Sequence, residues 1–454
     1  MKRPPNILFV FPDQWRHDWS WQSELPLRLP FCQSVARRGL SFSHAVTPSP
    51  LCAPARACLA TGREYEHCAV KSNSDDLDLD EQTFYQRLRE TGYQVLGCGK
   101  YDLAKDANDW SPNGQHPLPD GTNRLDHWGF NGGADVSGKI DGVTEGARDN
   151  LCPYTSFLKS EGLLDVHIAD LNGRRDYYSN APTPLPDRAY LDNFVGQQAV
   201  DLLQGAGTQS PWFLQVNFCG PHSPMDTTHS MFDSVRGRTF GEPPPSELAD
   251  PETRQNTRRA YAAMIENIDR WVGRMLQVIH ERGEDEETLI VISSDHGDML
   301  CDKGFFGKNL PYQASVGIPL CIAGPGVKAT GTNDSAVSLI DLSATFLDYA
   351  CGETPRYNDA CSLRAILEGN ARSNREAVFS GLGNWKSACD GRWKWITGYD
   401  TNRGFKQQLD APQPVPDLLF DLKNDPAELN NIAAENTQKV EELKNCFMRH
   451  TAPA

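Results

Sequence analysis

The sequence lacks any apolar stretch of the length that a membrane-spanning helix needs, and therefore predicts no transmembrane segment. It also lacks an excess of positive charge, because 44 Lys and Arg against 60 Asp and Glu give a formal net charge of −16. This balance argues against nucleic acid and against anionic membrane surfaces as partners, since both are bound by basic surfaces. A small anionic ligand would need a basic pocket of its own.

Regularly spaced cysteines are missing as well. The thirteen cysteines are scattered without CxxC pairs, and so indicate neither a zinc ribbon nor a disulfide framework. The first residues, MKRPPNILFVFPD, have no small-residue cleavage site after their short apolar run. These features favour reduced thiols and a cytoplasmic location, with a periplasmic or secreted one as the alternative if a leader was trimmed.

Short apolar runs alternate with helical patterns over residues 1–365, which is typical of a three-layer α/β/α sandwich around a mainly parallel sheet. The predicted strands are 6–11, 93–98, 212–218, 288–293 and 318–323, and the predicted helices are 31–39, 52–60, 83–91, 259–282 and 338–349. Beyond this region, residues 366–454 predict a small antiparallel-sheet subdomain with a terminal helix. Its predicted elements are strands at 377–380, 393–397 and 418–422 and a helix at 438–449.

Residues 102–190 show little periodic pattern and are rich in Asp, Gly, Asn and Pro. Loops this long in a compact domain are usually functional. We therefore interpret the segment as an insertion that shapes a substrate cleft. Trp110, Trp128 and Tyr154 are candidates for lining that cleft, although single aromatic residues more often pack in a core.

Several polar residues follow directly after predicted strands. In open α/β sheets, ligands bind outside the carboxyl ends of the strands. This rule gathers a candidate divalent-metal site of two carboxylates, an amide and an imidazole: Asp13, Gln14, Asp295 and His296. Oxygen ligands favour Ca²⁺ or Mg²⁺ and the imidazole favours Mn²⁺ or Zn²⁺, so the ligand types leave the ion open.

Cationic residues fall at the same predicted edge. Lys100 and His222 follow strands, and Arg56 and Lys308 belong to neighbouring segments. Cations retained at strand ends of so acidic a protein predict a pocket that neutralises a tetrahedral anion. The segment GFFGKNLPY around Lys308 lacks the glycine spacing and the following Ser or Thr of a phosphate-binding loop, which excludes that interpretation.

The stretch from residue 47 to 63, TPSPLCAPARACLATGR, places Cys52 two residues before Pro54 and four before Arg56 at a loop-to-helix junction. A thiolate phosphatase of the tyrosine-phosphatase kind has five residues between its Cys and Arg, whereas three stand here. That chemistry therefore does not fit. A plain buried cysteine explains neither Pro54 nor Arg56.

These residues resemble the formylglycine-dependent type I sulfatases of the alkaline-phosphatase superfamily. The signature C-x-P-x-R followed by L-x-T-G-R stands here as residues 52–56 and 59–63. The resemblance extends over nearly the whole chain through PNILFVFPDQ, GCGK, GPHSP, SSDHGDML, GKNLPY and LLFDLKNDPAELNNIA. It implies the alkaline-phosphatase-like fold and a sulfuric ester hydrolase.

The resemblance also implies a mechanism, in which Cys52 is oxidised by a maturation enzyme to Cα-formylglycine. One hydroxyl of the hydrated aldehyde attacks sulfur and displaces the alcohol in line, giving a sulfated hemiacetal. Loss of a proton from the other hydroxyl then expels sulfate and restores the aldehyde, so that release needs only C–O cleavage.

Roles for individual residues follow from the resemblance in the same way. Arg56 would steady the diol, and His222 is a candidate proton donor to the leaving oxygen. The residues that would contact the sulfate are Lys100, His222 and Lys308. The residues that would hold one divalent ion, with Ca²⁺ expected and Mn²⁺, Mg²⁺ or Zn²⁺ as alternatives, are Asp13, Gln14, Asp295, His296 and the formylglycine oxygen at Cys52.

Three positions depart from the usual pattern of the family. Gln14 stands where many members have Asp, which removes one negative charge from the metal site, and His296 stands where many have Asn. Asp102 stands where the family often has His in G-K-x-H. Because an anionic side chain would repel sulfate, we expect Asp102 to bind a substrate hydroxyl or to orient Lys100.

The leading hypothesis is a sulfatase acting on a small-molecule or oligosaccharide sulfate ester, and the long insertion favours a carbohydrate. A phosphonate monoester or phosphodiester hydrolase of the same superfamily is the alternative, because such enzymes often carry the Gln and His variants at the metal. A non-catalytic anion-binding relative, whose cysteine is never converted, is a third hypothesis. A homo-oligomer stays open.

Overall fold

A nine-stranded sheet forms the centre of the molecule in the computed structural model, which describes residues 3–105, 109–140, 151–174, 178–242, 250–352, 356–401 and 415–451. Its strand order is β4-β3-β5-β1-β6-β8-β2-β7, with β9 paired to β2. These strands are β1 (Asn6–Val10), β2 (Leu40–Val46), β3 (Gln94–Gly99), β4 (Gly132–Asp135), β5 (Trp212–Asn217), β6 (Thr288–Ile292), β7 (Gly317–Ile318), β8 (Cys321–Ala323) and β9 (Gly331–Ser338).

Five neighbouring strands of this sheet, β4, β3, β5, β1 and β6, run parallel to one another. Every residue of β1 is buried, as the continuous apolar run NILFV predicts for a strand covered on both faces. Ile7 and Phe9 enter one hydrophobic core, and Leu8 and Val10 enter the other. The alternation confirms the predicted three-layer α/β/α sandwich.

Helices cover both faces of the sheet. The helices are α1 (Pro30–Arg37), α2 (Cys52–Thr61), α3 (Phe84–Glu90), α4 (Arg124–Trp128), α5 (Pro153–Ser160), α6 (Leu164–Gly173), α7 (Leu191–Gly205), α8 (His229–Val235), α9 (Pro251–Glu281), α10 (Gln313–Val316), α11 (Asp341–Cys351), α12 (Arg364–Leu367) and α13 (Thr437–Thr451). Single 3₁₀ turns lie at His17–Trp19, Asp187–Ala189, Asp285–Glu287, Asp302–Gly304 and Ala433–Glu435. Helices α2, α3 and α11 share the core of Ile7, and α1, α7 and α9 share the core of Leu8.

Some predicted elements differ from the observed ones. The strand predicted at 318–323 is two short strands, β7 and β8, because Pro319 has no N–H to donate to a ladder. The helix predicted at 338–349 begins only at Asp341, since Ser338 ends strand β9. The helix predicted at 259–282 is α9, whose first residue is Pro251 and whose N-cap is Asp250.

The interpretation of residues 102–190 as an insertion without regular structure is wrong for the part that the structure describes. Helices α4, α5 and α6 and strand β4 lie within it. Trp110, Trp128 and Tyr154 are all at most 9% exposed and pack in the two cores, so they do not line a cleft. Residues 106–108, 141–150 and 175–177 of this segment lie outside the described residues.

The C-terminal part contains a small antiparallel sheet, as predicted, but the sheet has four strands and the one at Trp385–Cys389 was not predicted. Its strands are β12 (Val378–Leu382), β13 (Trp385–Cys389), β14 (Trp393–Thr397) and β15 (Leu418–Asp421), and a two-stranded ribbon of β10 (Arg356–Tyr357) and β11 (Ala360–Cys361) precedes it. One face packs on α13 through Phe379 and Trp395, and the other joins the main core through Val378 and Ile396. The predicted boundary between the α/β domain and the C-terminal subdomain, at residues 365 and 366, stays a prediction.

Within the described ranges, every helix is too short or too polar to cross a bilayer.

Candidate active site

Helix α2 brings Cys52 to the carboxyl edge of the central sheet. Strand β2 ends at Val46, and a short connection leads to Cys52, the first residue of the helix. Pro54 lies in the first helical turn, where backbone N–H groups have no acceptor within the helix, and is therefore tolerated. The helix ends at Thr61 and is capped by Gly62, whose φ of 66° is the left-handed conformation that glycine adopts readily.

The predicted metal residues converge at this edge. One ligand atom from each of Asp13, Cys52, Asp295 and His296 lies within 4.8 Å of the others, and all four residues are buried. His296 Nδ1 lies 3.0 Å from the Gly297 carbonyl oxygen. Because a carbonyl can only accept, Nδ1 carries the proton and Nε2 keeps its lone pair toward Cys52 and the carboxylates. The imidazole is thus oriented as a metal ligand.

Gln14 adds an oxygen to this group. Its φ is 72°, and its backbone carbonyl accepts a hydrogen bond of 2.6 Å from the Tyr261 hydroxyl. The side-chain amide nitrogen donates to Asp298, while the amide oxygen is buried without a hydrogen-bond partner. A buried oxygen of this kind is costly unless something binds it. Two carboxylates, this amide oxygen and the His296 imidazole therefore fit a divalent cation.

Two lysines that are distant from each other in the sequence both approach Cys52. Lys308 Nζ lies 2.7 Å and Lys100 Nζ 3.5 Å from Cys52 Sγ, and both ammonium groups also approach Asp13. Burial and Asp13 raise the pKa of the Cys52 thiol, yet the ammonium groups of Lys100 and Lys308 oppose them, and the pKa is lowered to about 6. Burial likewise opposes ionisation of Asp13, but the lysines hold its pKa well below the usual range. The site stabilises negative charge at position 52.

Arg56 lies one helical turn after Cys52 and is 2% exposed. Its Nε donates to Asp295 Oδ2 at 3.0 Å, its Nη2 forms an ion pair with the same oxygen at 2.9 Å, and its Nη1 donates to the Lys100 carbonyl at 2.5 Å. Despite burial, Asp295 and Asp13 raise the pKa of Arg56 above its ordinary value. Arg56 therefore joins the helix of Cys52 to the ends of β3 and β6.

Lys100 is placed by the end of β3. Gly99 has a φ of 92°, and a Cβ there would lie 1.9 Å from the Asn217 carbonyl oxygen, so only glycine fits. The Lys100 N–H donates to the same carbonyl at 3.0 Å. Asp102 Oδ2 then lies 3.0 Å from Lys100 Nζ and 3.3 Å from Lys105 Nζ. Asp102 thus contacts Lys100, as the orienting role requires, and its substrate contact stays a prediction.

A buried histidine supports the segment that contains Lys100. His116 lies 2.7 Å from Asp109 Oδ1 and 3.0 Å from Asp135 Oδ2, and Asp135 Oδ1 accepts from the backbone N–H of Tyr101 at 3.0 Å. Burial lowers the pKa of His116, but hydrogen bonds to the two carboxylates outweigh it and raise the pKa to about 9. The charged imidazole compensates Asp135 beneath the Lys100 segment.

A cavity of about 260 Å³ opens beside Cys52. The polar side chains that line it include Asn73, Lys100, Lys105, Lys139, His222 and Lys308. His222 Nδ1 lies 2.5 Å from the Ser223 carbonyl, so Nδ1 is the protonated nitrogen. Burial and then Lys308 hold the pKa of His222 well below its ordinary value. The imidazole is neutral near neutral pH while the cavity contains no anion.

All ten residues predicted for the site therefore lie in or around one pocket, and their individual roles stay predictions. Sequence reasoning missed Asp298, Lys105, Lys139 and Asn73. Asp298 carried a signal, because it stands within the SSDHGDML motif three residues after Asp295. The other three carried none, since nothing in their local sequence distinguishes them from surface residues.

Residues 5–353 match the sequence model of the Sulfatase family, and residues 301–451 match that of the C-terminal region of N-sulphoglucosamine sulphohydrolase. The chain therefore belongs to the sulfatase family, which confirms the resemblance. It is an enzyme of the sulfuric ester hydrolase class.

Two relatives and one solved structure give the range of similarity. An arylsulfatase of Clostridium perfringens is 24% identical, over 98% of this chain and 94% of its own length. The N-acetylglucosamine-6-O-sulfatase of Bacteroides thetaiotaomicron is 25% identical, over 97% and 85%. The phosphonate monoester hydrolase SpPMH from Silicibacter pomeroyi has a TM-score of 0.77 at 23% identity, covering 98% of this chain and 95% of that one. The last similarity shows the fold alone.

Proposed function

We propose that this sulfatase hydrolyses a sulfate monoester of a carbohydrate, with a formylglycine made from Cys52 as its nucleophile and a divalent cation beside it. The observation that carries the proposal is the environment of position 52. Two ammonium groups, Lys308 Nζ and Lys100 Nζ, reach this buried position at 2.7 and 3.5 Å. Position 52 is also the first residue of a helix, where the helix dipole favours negative charge.

Formylglycine suits this environment better than a thiol does. Its hydrate would supply a nucleophilic oxygen in place of sulfur, next to the oxygen-rich ligand set. Conversion requires a formylglycine-generating maturation enzyme as a partner, and the C-x-P-x-R segment from Cys52 to Arg56 is what such an enzyme would read in the unfolded chain. Buried in α2, the segment is out of reach once the protein has folded.

The metal would be held by Asp13, Gln14, Asp295 and His296 together with the oxygen at position 52. When bound, it would polarise an oxygen of the ester and favour ionisation of the hydrate. Oxygen donors outnumber the imidazole nitrogen, so we propose Ca²⁺ as the resident ion, with Mg²⁺, Mn²⁺ and Zn²⁺ as the competitors to test.

The cationic residues of the chain would bind the ester. Lys100 and Lys308 neutralise its anionic oxygens and the charge that develops on them during displacement. Arg56 holds Asp295 by one hydrogen bond and an ion pair and thereby fixes the ligand set relative to α2. Lys100 is held in turn by Asp102, at 3.0 Å.

His222 would act on the leaving oxygen. Its pKa is low because burial and Lys308 disfavour a charge in the cavity without an anion. A bound sulfate ester reverses that field, because its negative charge lies between the lysines and the imidazole, and the pKa of His222 rises. A protonated imidazole is then available to donate to the departing alcohol.

Support for a carbohydrate substrate comes from the relative named as an N-acetylglucosamine-6-O-sulfatase, which aligns with 97% of this chain. Gln14 supports the alternative, a phosphonate monoester or phosphodiester hydrolase. Such enzymes often carry this glutamine, whose amide gives the ligand set one negative charge fewer than the carboxylate that many sulfatases have there. Both hypotheses share the same nucleophile.

The test compares three aryl esters on the same enzyme, produced together with an active maturation system. These are 4-nitrophenyl sulfate, 4-nitrophenyl phenylphosphonate and bis(4-nitrophenyl) phosphate. We expect the highest kcat/KM for the sulfate, and a much higher value for the phosphorus esters would replace the sulfatase proposal by its alternative.

Two cysteine variants control this test. Cys52→Ala should abolish turnover of all three esters, and retained activity would show that the nucleophile lies elsewhere. Cys58→Ala is the matched control, because Cys58 is buried in the same helix away from the ligand atoms, and its activity should be close to that of the wild type.

A further inference from the structure

Asp298 is a fully buried carboxylate next to the predicted metal ligands, three residues after Asp295. Its Oδ1 accepts hydrogen bonds from the backbone N–H groups of Leu300 at 2.7 Å and Gly307 at 3.1 Å. Its Oδ2 accepts from the side-chain amide of Gln14. This one carboxylate therefore joins the segment after strand β1 to the loop that follows strand β6.

The orientation of the Gln14 amide is set by this carboxylate. A carboxylate only accepts hydrogen bonds, so the group of Gln14 that faces Asp298 is its NH₂ group. The amide oxygen Oε1 then lies on the other side, and it is buried without a hydrogen-bond partner among the described residues. The residue lies against the predicted metal ligands, because its backbone N–H donates to Asp295 Oδ1 at 2.9 Å. The unpartnered oxygen is thus the atom that Gln14 offers to a cation.

The other oxygen of Asp298 holds the loop that carries Lys308. Gly307 is fixed on both sides, because its N–H donates to Asp298 and its carbonyl accepts from the Met299 N–H at 2.6 Å. Lys308 follows directly in the sequence, and its Nζ lies 2.7 Å from Cys52 Sγ. The position of Gly307 therefore determines where the Lys308 side chain begins.

We propose that Asp298 is a positioning residue with two functions: it turns the Gln14 amide oxygen toward the divalent cation, and it holds the loop from which Lys308 reaches the sulfate ester. The inference rests on the proposed metal site and goes beyond it, because Asp298 itself would touch neither the cation nor the substrate. Loss of its negative charge alone reverses the Gln14 amide, and loss of the whole carboxyl group also releases the loop.

Asp298→Asn separates the two functions. The oxygen of the introduced amide can still accept from Leu300 and Gly307, which leaves its NH₂ group facing Gln14. Two NH₂ groups do not bond to each other, so the Gln14 amide turns over and presents its own NH₂ group to the cation. We expect the Ca²⁺ dissociation constant, measured by calorimetric titration of chelator-treated protein, to rise about 10- to 100-fold.

The same substitution in a Gln14→Glu background distinguishes positioning from a merely structural role. A carboxylate at position 14 can accept from the NH₂ group that Asp298→Asn introduces, and the repulsion between two facing carboxylates is removed. In this background Asp298→Asn should leave the Ca²⁺ dissociation constant unchanged or lower it. A structural role predicts the same factor in both backgrounds, so factors that agree within about twofold would overturn the proposal.

Asp269→Asn is the matched control for loss of a buried carboxylate. Asp269 is 1% exposed and accepts from two backbone N–H groups, those of Cys32 at 2.7 Å and Phe31 at 3.3 Å, which belong to helix α1. Its substitution should leave the Ca²⁺ dissociation constant as in the wild type. A rise equal to that of Asp298→Asn would show that loss of either buried carboxylate weakens the site, and would overturn the proposal.

The second function is measured without metal or turnover, by NMR-detected hydrogen exchange of the Leu300 and Gly307 amides in chelator-treated protein. Asp298→Ala removes their acceptor and should speed exchange at both amides about tenfold, as loss of one hydrogen bond would. Asp298→Asn should leave both rates close to those of the wild type. Equal rates in wild type and Asp298→Ala, or a uniform rise that includes the amides of Phe31 and Cys32, would overturn the role in holding the loop.

Failure of this proposal and failure of the proposed metal site give different results. A wild-type protein that binds none of Ca²⁺, Mg²⁺, Mn²⁺ and Zn²⁺ would overturn the metal site, and with it the turning of Gln14 toward a cation. Equal Ca²⁺ affinity in wild type and Asp298→Asn would overturn the positioning role and leave the metal site intact.

Discussion

The charged His116 beneath the Lys100 turn predicts a pH-dependent contribution to stability. Its pKa is raised from 6.5 to about 9 by hydrogen bonds to Asp109 and Asp135. A group whose pKa is higher in the folded state stabilises the protein fully below its unfolded pKa, and that stabilisation is lost as the pH rises through the folded value. The window is therefore pH 6.5 to about 9.

The magnitude follows from the difference between these two pKa values. At 1.36 kcal/mol per pH unit it amounts to about 3 kcal/mol in the free energy of unfolding. His116 is fully buried, so solvent does not screen this contribution away. His116→Gln removes the charge and keeps one hydrogen-bond donor. The variant should be less stable than wild type by about this amount at pH 6, and the gap should close toward pH 9.5.

The assay is urea denaturation of wild type and variant at several pH values from 6 to 9.5, accompanied by NMR titration of ring-labelled histidines. The resonance that disappears in His116→Gln should titrate near pH 9 in the wild type. His280→Gln is the matched control, because the His280 side chain is 78% exposed, and its stability should follow that of the wild type. A His116 midpoint at or below 6.5, or a gap between His116→Gln and wild type that does not change with pH, would refute the reasoning.

Three further perturbations test other parts of the structure. Arg56→Met leaves the buried carboxylate of Asp295 without this cation. In urea denaturation of chelator-treated protein, the variant should lose about 3–5 kcal/mol of unfolding free energy, and a loss below about 1 kcal/mol would count against the buried ion pair. Gln14→Leu should weaken Ca²⁺ binding at least about tenfold in calorimetric titration, and an unchanged dissociation constant would remove Gln14 from the ligand set. Gly62→Ala should lower the free energy of unfolding more than Gly352→Ala does. Both glycines have a positive φ, but of the two only Gly62 has a neighbour that a Cβ would meet, 2.4 Å from Tyr357. Equal losses of unfolding free energy in the two variants would contradict this.

The sequence was sufficient to predict the site residues that directly follow a continuous apolar strand, because ligands bind outside the carboxyl ends of such strands. Asp13, Lys100 and Asp295 follow β1, β3 and β6, which are buried and almost uninterrupted in their apolar character. Parallel strands end at one edge of a sheet, so these residues had to meet there. The same reasoning placed His222 after β5 correctly in the pocket.

The sequence was insufficient to predict strands and helices that contain several polar residues, and side chains whose interaction partner is distant in the sequence. Strand β2, with sequence LSFSHAV, has Ser and His between its apolar residues and was not predicted. The first two turns of α9, from Pro251, are polar and carry no apolar periodicity. Lys139 becomes distinct from a surface lysine only through Asp226, which lies on another segment of the chain.

The state of residue 52 is the central claim of the account. Mass spectrometry of the peptide that contains Cys52, from protein produced with an active maturation system, tests it most directly. The account predicts an aldehyde, seen as a peptide lighter by the difference between a CH₂SH and a CHO group and reactive toward hydrazides. An unmodified thiol in fully active enzyme would contradict it.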